Sequence, residues 1–160
     1  MAPSTAANSA FMSKDQFLAH WQGHRALSRR VIEAFPEDQL FSFSVGGMRP
    51  FGELAGEMLR MAAPTAEGAA TGKWVEYAQP VPSTKQGLLE RWDEDTKRID
   101  AAWVKVTEER LQERDVAFGV YDDFVYRNVL YVIDNEIHHR AQGYVYLRAL
   151  GVEPPPFWER

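Results

Sequence analysis

The sequence predicts an all-α protein with the architecture of a four-helix bundle. Four long segments repeat apolar residues at steps of three and four, which is the spacing of an amphipathic helix. Capping patterns precede two of these segments, and proline or glycine stands where they should end. Residues 41–45 alternate like a strand, but the stretch is short and isolated, so it is interpreted as an extended loop.

The first predicted helix begins after Ser13 and continues to Phe35. Ser13 and Gln16 form a capping-box pattern, in which each side chain can satisfy a free backbone amide of the other residue. Pro36 ends the helix, because the residue before a proline is disfavoured in the α region. Residues 1–12 are predicted to be a flexible tail, and residues 13–160 a single domain.

The second helix is predicted to begin at Pro50, a residue that suits the first helical position. Its apolar stripe consists of Phe51, Leu54, Ala55, Met58 and Met61. Pro64 is expected to end or bend it. Residues 65–82 are rich in glycine, alanine, threonine and proline, and they predict a long connection to the third helix, with Trp74 and Tyr77 as anchors.

The third and fourth long helices follow from similar signals. Residues 83–86 form a second capping-box pattern, centred on Ser83, before a helix that reaches about residue 106. Residues 107–120 are interpreted as a turn or short helix. The last helix is predicted from about Asp122 to Leu150, with acidic residues at its positive end and Gly151 as the residue after its C-cap.

The composition excludes several classes of function. The net charge of −5 gives no basic field for a nucleic-acid backbone, so no nucleic-acid partner is expected. Cysteine is absent, which excludes disulfides, thiolate metal sites and a thiol nucleophile. The apolar runs are too short to span a membrane, and the first residues lack the pattern of a signal peptide. A cytoplasmic protein is therefore expected.

The last helix carries a polar and aromatic stripe beside its apolar one. The stripe consists of Phe124, Asn128, Tyr131, Asn135, His138, His139, Gln142 and Tyr146. Asn135 and His139 are four residues apart, so both can point at the same spot between helices. Glu57 flanks the apolar stripe of the second helix. These three side chains could hold a divalent cation; alternatively, Glu57 is exposed and the other two are ordinary polar groups.

His20 and His24 in the first helix have the four-residue spacing of a zinc pair. The residues between them are Trp-Gln-Gly, so the glutamate of a metalloprotease motif is absent. His24 shares a stripe with Phe17 and Trp21. A satisfied core histidine is the more common outcome, and His24 is a second-tier candidate for a metal ligand.

Two motifs resemble those of a known family of helical bundles. Residues 135–142, Asn-Glu-Ile-His-His-Arg-Ala-Gln, continue through Gly151 to Pro154 and resemble the last-helix signature of the DinB-like family. Residues 48–58, Met-Arg-Pro-Phe-Gly-Glu-Leu-Ala-Gly-Glu-Met, resemble its second-helix motif. This is the DNA-damage-inducible family related to thiol-dependent transferases and maleylpyruvate isomerases. The resemblance covers nearly the whole chain.

The resemblance implies a right-handed up-up-down-down bundle, a homodimer, and a divalent metal held by three histidines. The matching positions here are Glu57, Asn135 and His139, so two of the three differ from histidine. This donor set is harder than three imidazoles and should hold zinc or nickel less tightly, with a shift toward manganese, magnesium or iron.

Two functions are compatible with these observations. The first is a metal-dependent hydrolase or a transferase that uses a low-molecular-weight thiol, with the metal between helices two and four activating water or the thiol. His138, Gln142 and Tyr131 are then candidates for proton donors or supporting groups. The second is a non-catalytic stress-response or small-ligand-binding bundle with a degenerate metal site.

Overall fold

The structure is a computed structural model that describes residues 11–160. Nearly all of the predicted tail, residues 1–10, therefore lies outside the described residues. The predicted all-α bundle is confirmed, with one short helix and a two-stranded hairpin added to it. The elements are α1 (Lys14–Ala34), α2 (Phe51–Thr71), α3 (Lys85–Trp103), α4 (Glu108–Leu111), β1 (Arg114–Ala117), β2 (Tyr121–Phe124) and α5 (Val125–Ala149).

Helices α1 and α3 run in opposite directions. Lys85, at the start of α3, donates from Nζ to the carbonyl of Phe35 at 2.8 Å. At the other end of the bundle, Trp103 Nε1 donates to the carbonyl of Lys14 at 2.9 Å. The two helices are thus tied together at both ends.

Helix α2 runs parallel to α3 and antiparallel to α5. Phe51, the first residue of α2, contacts Gly143 near the end of α5, and it lies in one apolar cluster with Leu88 near the start of α3. The directions are therefore up, down, down and up. This order differs from the expected up-up-down-down, because the connection after α2 returns along that helix before α3 begins.

The capping predictions for α1 and α5 agree with the structure. The amide of Gln16 donates to Ser13 Oγ at 3.1 Å, and the Gln16 side chain accepts from the Ser13 amide at 2.9 Å. After α5, Gly151 has φ +75°, and the amide of Val152 donates to the carbonyl of Leu147. These contacts form a Schellman motif that closes the helix.

Pro64 does not end α2, contrary to one of the two expected outcomes. The helix continues to Thr71 and ends at Gly72, which has φ +70°. Pro64 removes one backbone hydrogen bond, but it is buried among neighbouring fully buried alanines such as Ala63 and Ala66. Tertiary packing of this face offsets the lost bond, and the connection to α3 is correspondingly shorter, 72–84.

The capping box predicted at Ser83 is wrong by one residue. Thr84 is the N-cap of α3, and its Oγ1 accepts from the amide of Gly87 at 3.1 Å. Ser and Thr cap helices by the same chemistry, so the two neighbouring residues cannot be distinguished by type. Pro82 packs against Gly87 and fixes the entry of the chain into the helix.

The last helix begins later than predicted, because a hairpin contains the residues expected at its start. Asp122 and Asp123 lie in β2, paired with Val116 and Asp115 of β1, and α5 begins only at Val125. Phe118 and Gly119 both have positive φ, as a tight hairpin turn requires. Strands of four residues carry too little alternation to be recognised, so the sequence suggested a turn or short helix for residues 107–120. The short helix is α4, which precedes the hairpin.

Both long connections pack against glycines of α2. The ring of Phe41 covers Gly52, Val81 covers Gly56, and Trp74 covers Gly68, each so closely that a Cβ could not be accommodated. Trp74 is thereby confirmed as an anchor, and its Nε1 also donates to Asp115 at 3.0 Å. Across residues 11–160, none of the helices combines the length and the apolar character that crossing a bilayer demands.

Candidate functional site between helices two and five

The structure brings together the three residues that the resemblance places at the metal site. Oε1 of Glu57, on α2, lies 2.9 Å from Nε2 of His139 and 3.0 Å from Nδ2 of Asn135, both on α5. Because α2 and α5 are antiparallel neighbours, residues one turn apart on α5 reach the same carboxylate. His139 is buried, and the side chain of Glu57 is 28% exposed.

The second oxygen of Glu57 is held by an arginine that sequence reasoning did not single out. Nη1 of Arg49 lies 2.7 Å from Glu57 Oε2. Burial raises the pKa of the Glu57 carboxyl, but hydrogen bonds from Asn135, Arg49 and His139 outweigh this effect and lower the pKa from 4.5 to about 2. The carboxylate is therefore a persistent negative charge.

The ring of His139 is held between two oxygen atoms. Its Nδ1 lies 2.8 Å from Oε1 of Gln142, and its Nε2 faces Glu57. A ring nitrogen that carries hydrogen can donate to the oxygen that it faces. Gln142 is thus the partner that orients the ring.

As arranged, these side chains do not fit a resident divalent ion. Both oxygens of Glu57 already accept hydrogen bonds, and Asn135 turns its N–H group toward the carboxylate while its Oδ1 is buried without a partner. Metal ions need oxygen or deprotonated nitrogen donors. Residues 11–160 also contain no cluster of three or more His, Asp or Glu side chains suited to a metal.

A large cleft opens beside Glu57, between α2, α5 and the hairpin. Its volume is about 1060 Å³, within the size range of small-molecule sites. Its aromatic lining consists of Tyr77, Phe118, Tyr121 and Tyr131. Asn128 also lies in the lining, but its Nδ2 is inaccessible to solvent and has no hydrogen-bond partner among the described residues.

The remaining candidate residues lie in different places. Tyr131 is 61% exposed and lines the cleft, so it is available to a ligand. His138 is exposed and contacts the ring of His139 edge to face. His24 does not approach Glu57. It is buried between α1 and α5, where Arg140 Nη2 contacts its Nδ1 at 2.9 Å.

His24 belongs to a second buried polar cluster, formed by α1 and α5. Ser28 Oγ donates to Glu136 Oε1 at 2.6 Å, and Arg140 donates to both Ser28 Oγ and the His24 carbonyl. Burial raises the pKa of Glu136 and lowers that of His24, the latter to about 4 with help from Arg140, His20 and Arg160. His24 is therefore buried in the core between α1 and α5, away from Glu57, and Arg160 Nη1 also lies 3.0 Å from its Nε2.

Arg49 is the principal site residue that sequence reasoning missed. It lies in the motif at residues 48–58 but precedes α2, so helical periodicity gives no information about its direction. Only the fold shows that the chain before α2 brings this guanidinium to a carboxylate on the helix itself. Glu136 and Arg140 were missed because charged residues on a helix are usually exposed.

Comparison with protein families agrees with this architecture. The family model described as the DinB family matches residues 7–160. The chain belongs to the DinB family. A search of curated proteins finds no match to this DinB-family chain.

Solved structures show the same fold at low sequence identity. A DinB-like protein of Bacillus subtilis is 19% identical, with a TM-score of 0.72 over 91% of this chain and 99% of that one. A DinB-like protein of Bacillus cereus is 18% identical, with a TM-score of 0.75 over 93% and 100%. A variant of mycothiol-dependent maleylpyruvate isomerase is 12% identical, with a TM-score of 0.63 over 82% of this chain and 60% of that one.

Proposed function

We propose that this DinB-family chain is a metal-independent binding protein for a small organic molecule, which it takes up in the cleft between α2, α5 and the hairpin. The observation that carries the proposal is the cleft itself, about 1060 Å³ in volume, with an aromatic lining and several acidic side chains. Apolar clefts with a few convergent polar groups are the usual form of small-molecule sites.

The charges of the cleft favour a ligand with a positively charged group. Three of the five lining acids, Glu57, Asp122 and Asp123, form ion pairs with arginines. Within residues 11–160, Glu76 and Asp134 form no ion pair.

Arg60 also lines the cleft, forms no ion pair within the described part of the chain, and offsets part of this charge. The lining groups without an ion pair therefore carry a net negative charge. An ammonium group beside Tyr131 and Asp134 gains both charge attraction and contact with an aromatic face.

The test uses three probes of similar shape, namely 2-phenylethylamine, 2-phenylethanol and 3-phenylpropionate. In amide NMR spectra we expect the amine to shift resonances of residues 128–134 and of the hairpin, equally with and without EDTA. If none of the three shifts cleft resonances, or if shifts require added metal, the proposal is overturned. A preference for the carboxylate contradicts the charge argument alone.

A matched pair of variants locates the contact. Asp134→Asn removes an unpaired charge of the cleft and should weaken amine binding several-fold, by the scale of a single ion pair near the surface. Asp38→Asn removes the same charge from an exposed turn after α1 and should leave binding unchanged. Equal loss in both variants indicates a general charge effect rather than a site.

A metal-dependent hydrolase or a low-molecular-weight-thiol transferase is the second candidate function. Two observations favour it: the convergence of Glu57, Asn135 and His139 on one point, and the fold shared with a mycothiol-dependent isomerase. Metal would have to displace Arg49 from Glu57. Metal analysis of untagged protein tests it, because a resident cofactor predicts stoichiometric zinc, nickel, manganese or iron.

A further inference from the structure

The polar stripe of α5 holds the segment before α2 in place. Tyr146, which is fully buried, donates from its hydroxyl to the backbone carbonyl of Arg49 at 2.9 Å. One turn earlier, Gln142 Nε2 lies 3.7 Å from Met48 Sδ. The backbone at residues 48–49 is therefore fixed by the helix that also carries His139.

From this anchored backbone, the Arg49 side chain extends to the carboxylate of Glu57. Its Nη1 lies 2.7 Å from Oε2, while Oε1 takes the contacts of Asn135 and His139. A guanidinium is always charged and matches carboxylate geometry. The carboxylate is thus compensated by a charge that belongs to the chain.

We propose that Arg49 is a built-in cation that occupies the cation position of this site and keeps divalent ions off Glu57. An ion bound by Glu57 and His139 would lie beside the guanidinium, where two like charges repel. While Arg49 remained bound to Glu57, Oε2 of the carboxylate would also be unable to coordinate the ion. The role of Arg49 is independent of what the large cleft binds.

The experiment compares Zn²⁺ and Mn²⁺ binding by wild type, Arg49→Gln, Arg49→Lys and Arg60→Gln, using calorimetry and manganese electron paramagnetic resonance. Arg49→Gln removes the charge and should bind metal at least about tenfold more tightly than wild type, the scale of relieving one like-charge contact. Arg49→Lys retains the charge and should gain much less. Arg60→Gln removes an arginine that lines the cleft beside Glu57 and forms no ion pair within residues 11–160, and it should gain nothing.

A second substitution shows where the gained ion binds. In Arg49→Gln combined with Glu57→Gln, the gain should disappear, because the only carboxylate of the site is lost. The proposal is overturned if wild type binds metal as tightly as Arg49→Gln. It is also overturned if Arg49→Gln, shown to be folded by circular dichroism, gains no affinity, or if Arg60→Gln gains as much.

Discussion

The ring of Phe51 lies directly against the backbone of Gly143, so that a Cβ built on Gly143 would be 2.5 Å from Phe51 Cε2. Phe51 begins α2 and is fully buried, and its ring stacks on Phe35 at 4.7 Å between centroids. This contact sets the distance between α2 and α5 one turn from His139. The geometry of the Glu57–His139 pair therefore depends on a glycine.

Gly143→Ala should lower the free energy of unfolding by about 1–3 kcal/mol, the cost of overpacking a core, although alanine is the better helix former. Urea unfolding followed by circular dichroism measures it. Ala141→Gly, at an exposed position of the same helix, is the control and reports only helix propensity, up to about 1 kcal/mol. Unchanged or increased stability of Gly143→Ala contradicts the close contact.

The lowered pKa of Glu57 makes a prediction about acid stability. Its pKa is 4.5 when unperturbed and about 2 in the folded chain, so the ionised carboxylate stabilises the fold above pH 4.5 and this contribution is lost as the pH falls toward 2. After allowing for partial exposure, it amounts to about 1–3 kcal/mol. In Glu57→Gln, the free energy of unfolding should fall less steeply than in wild type as the pH is lowered from 4.5 to 2.

Glu53→Gln provides the comparison for that experiment. Glu53 is exposed, one turn before Glu57 in α2, and has no ion pair among the described residues. The free energy of unfolding of Glu53→Gln should depend on pH in the same way as that of wild type. If the two variants have the same profile, the ion pair contributes nothing to folding.

His24 predicts a loss of stability at a higher pH. Its pKa falls from 6.5 to about 4, through burial and the nearby Arg140, His20 and Arg160. Between these values the unfolded chain binds a proton that the folded chain does not, so stability declines as the pH is lowered from 6.5 to 4. Imidazole NMR should show a neutral His24 ring at pH 5.

In the variant His24→Gln, the loss of unfolding free energy between pH 6.5 and pH 4 should be smaller than in wild type by about 1–3 kcal/mol. His138→Gln changes an exposed histidine of α5 and should not alter it. A charged His24 ring at pH 5 would contradict its burial against Arg140.

Sequence patterns predicted the four long helices, the start of α1 and the end of α5, because the capping box at Ser13 and the turn at Gly151 depend on neighbouring residues alone. The meeting of Glu57, Asn135 and His139 followed from helical spacing and a family resemblance. Arg49 could not be predicted, since its direction is set by Tyr146, almost a hundred residues away. Continuation of α2 through Pro64 likewise depends on burial by other helices.

The homodimer implied by the resemblance remains a prediction. An exposed face near the end of α5 could form its interface, where Val145 is 55% exposed. Light scattering at micromolar concentration should give twice the chain mass, and Val145→Arg should reduce it toward one chain if this face is used. A monomeric wild type contradicts the prediction.

The glycines of α2 also affect how the chain opens. Phe41, Val81 and Trp74 lie directly on the backbone of α2 at its glycines. Neither long connection can therefore move away without exposing that backbone and these apolar side chains. Segments without regular structure usually open locally at little cost. Here the connections should exchange their amide hydrogens and become accessible to proteases only when α2 itself opens. The irregular parts of the chain should therefore open as rarely as the core.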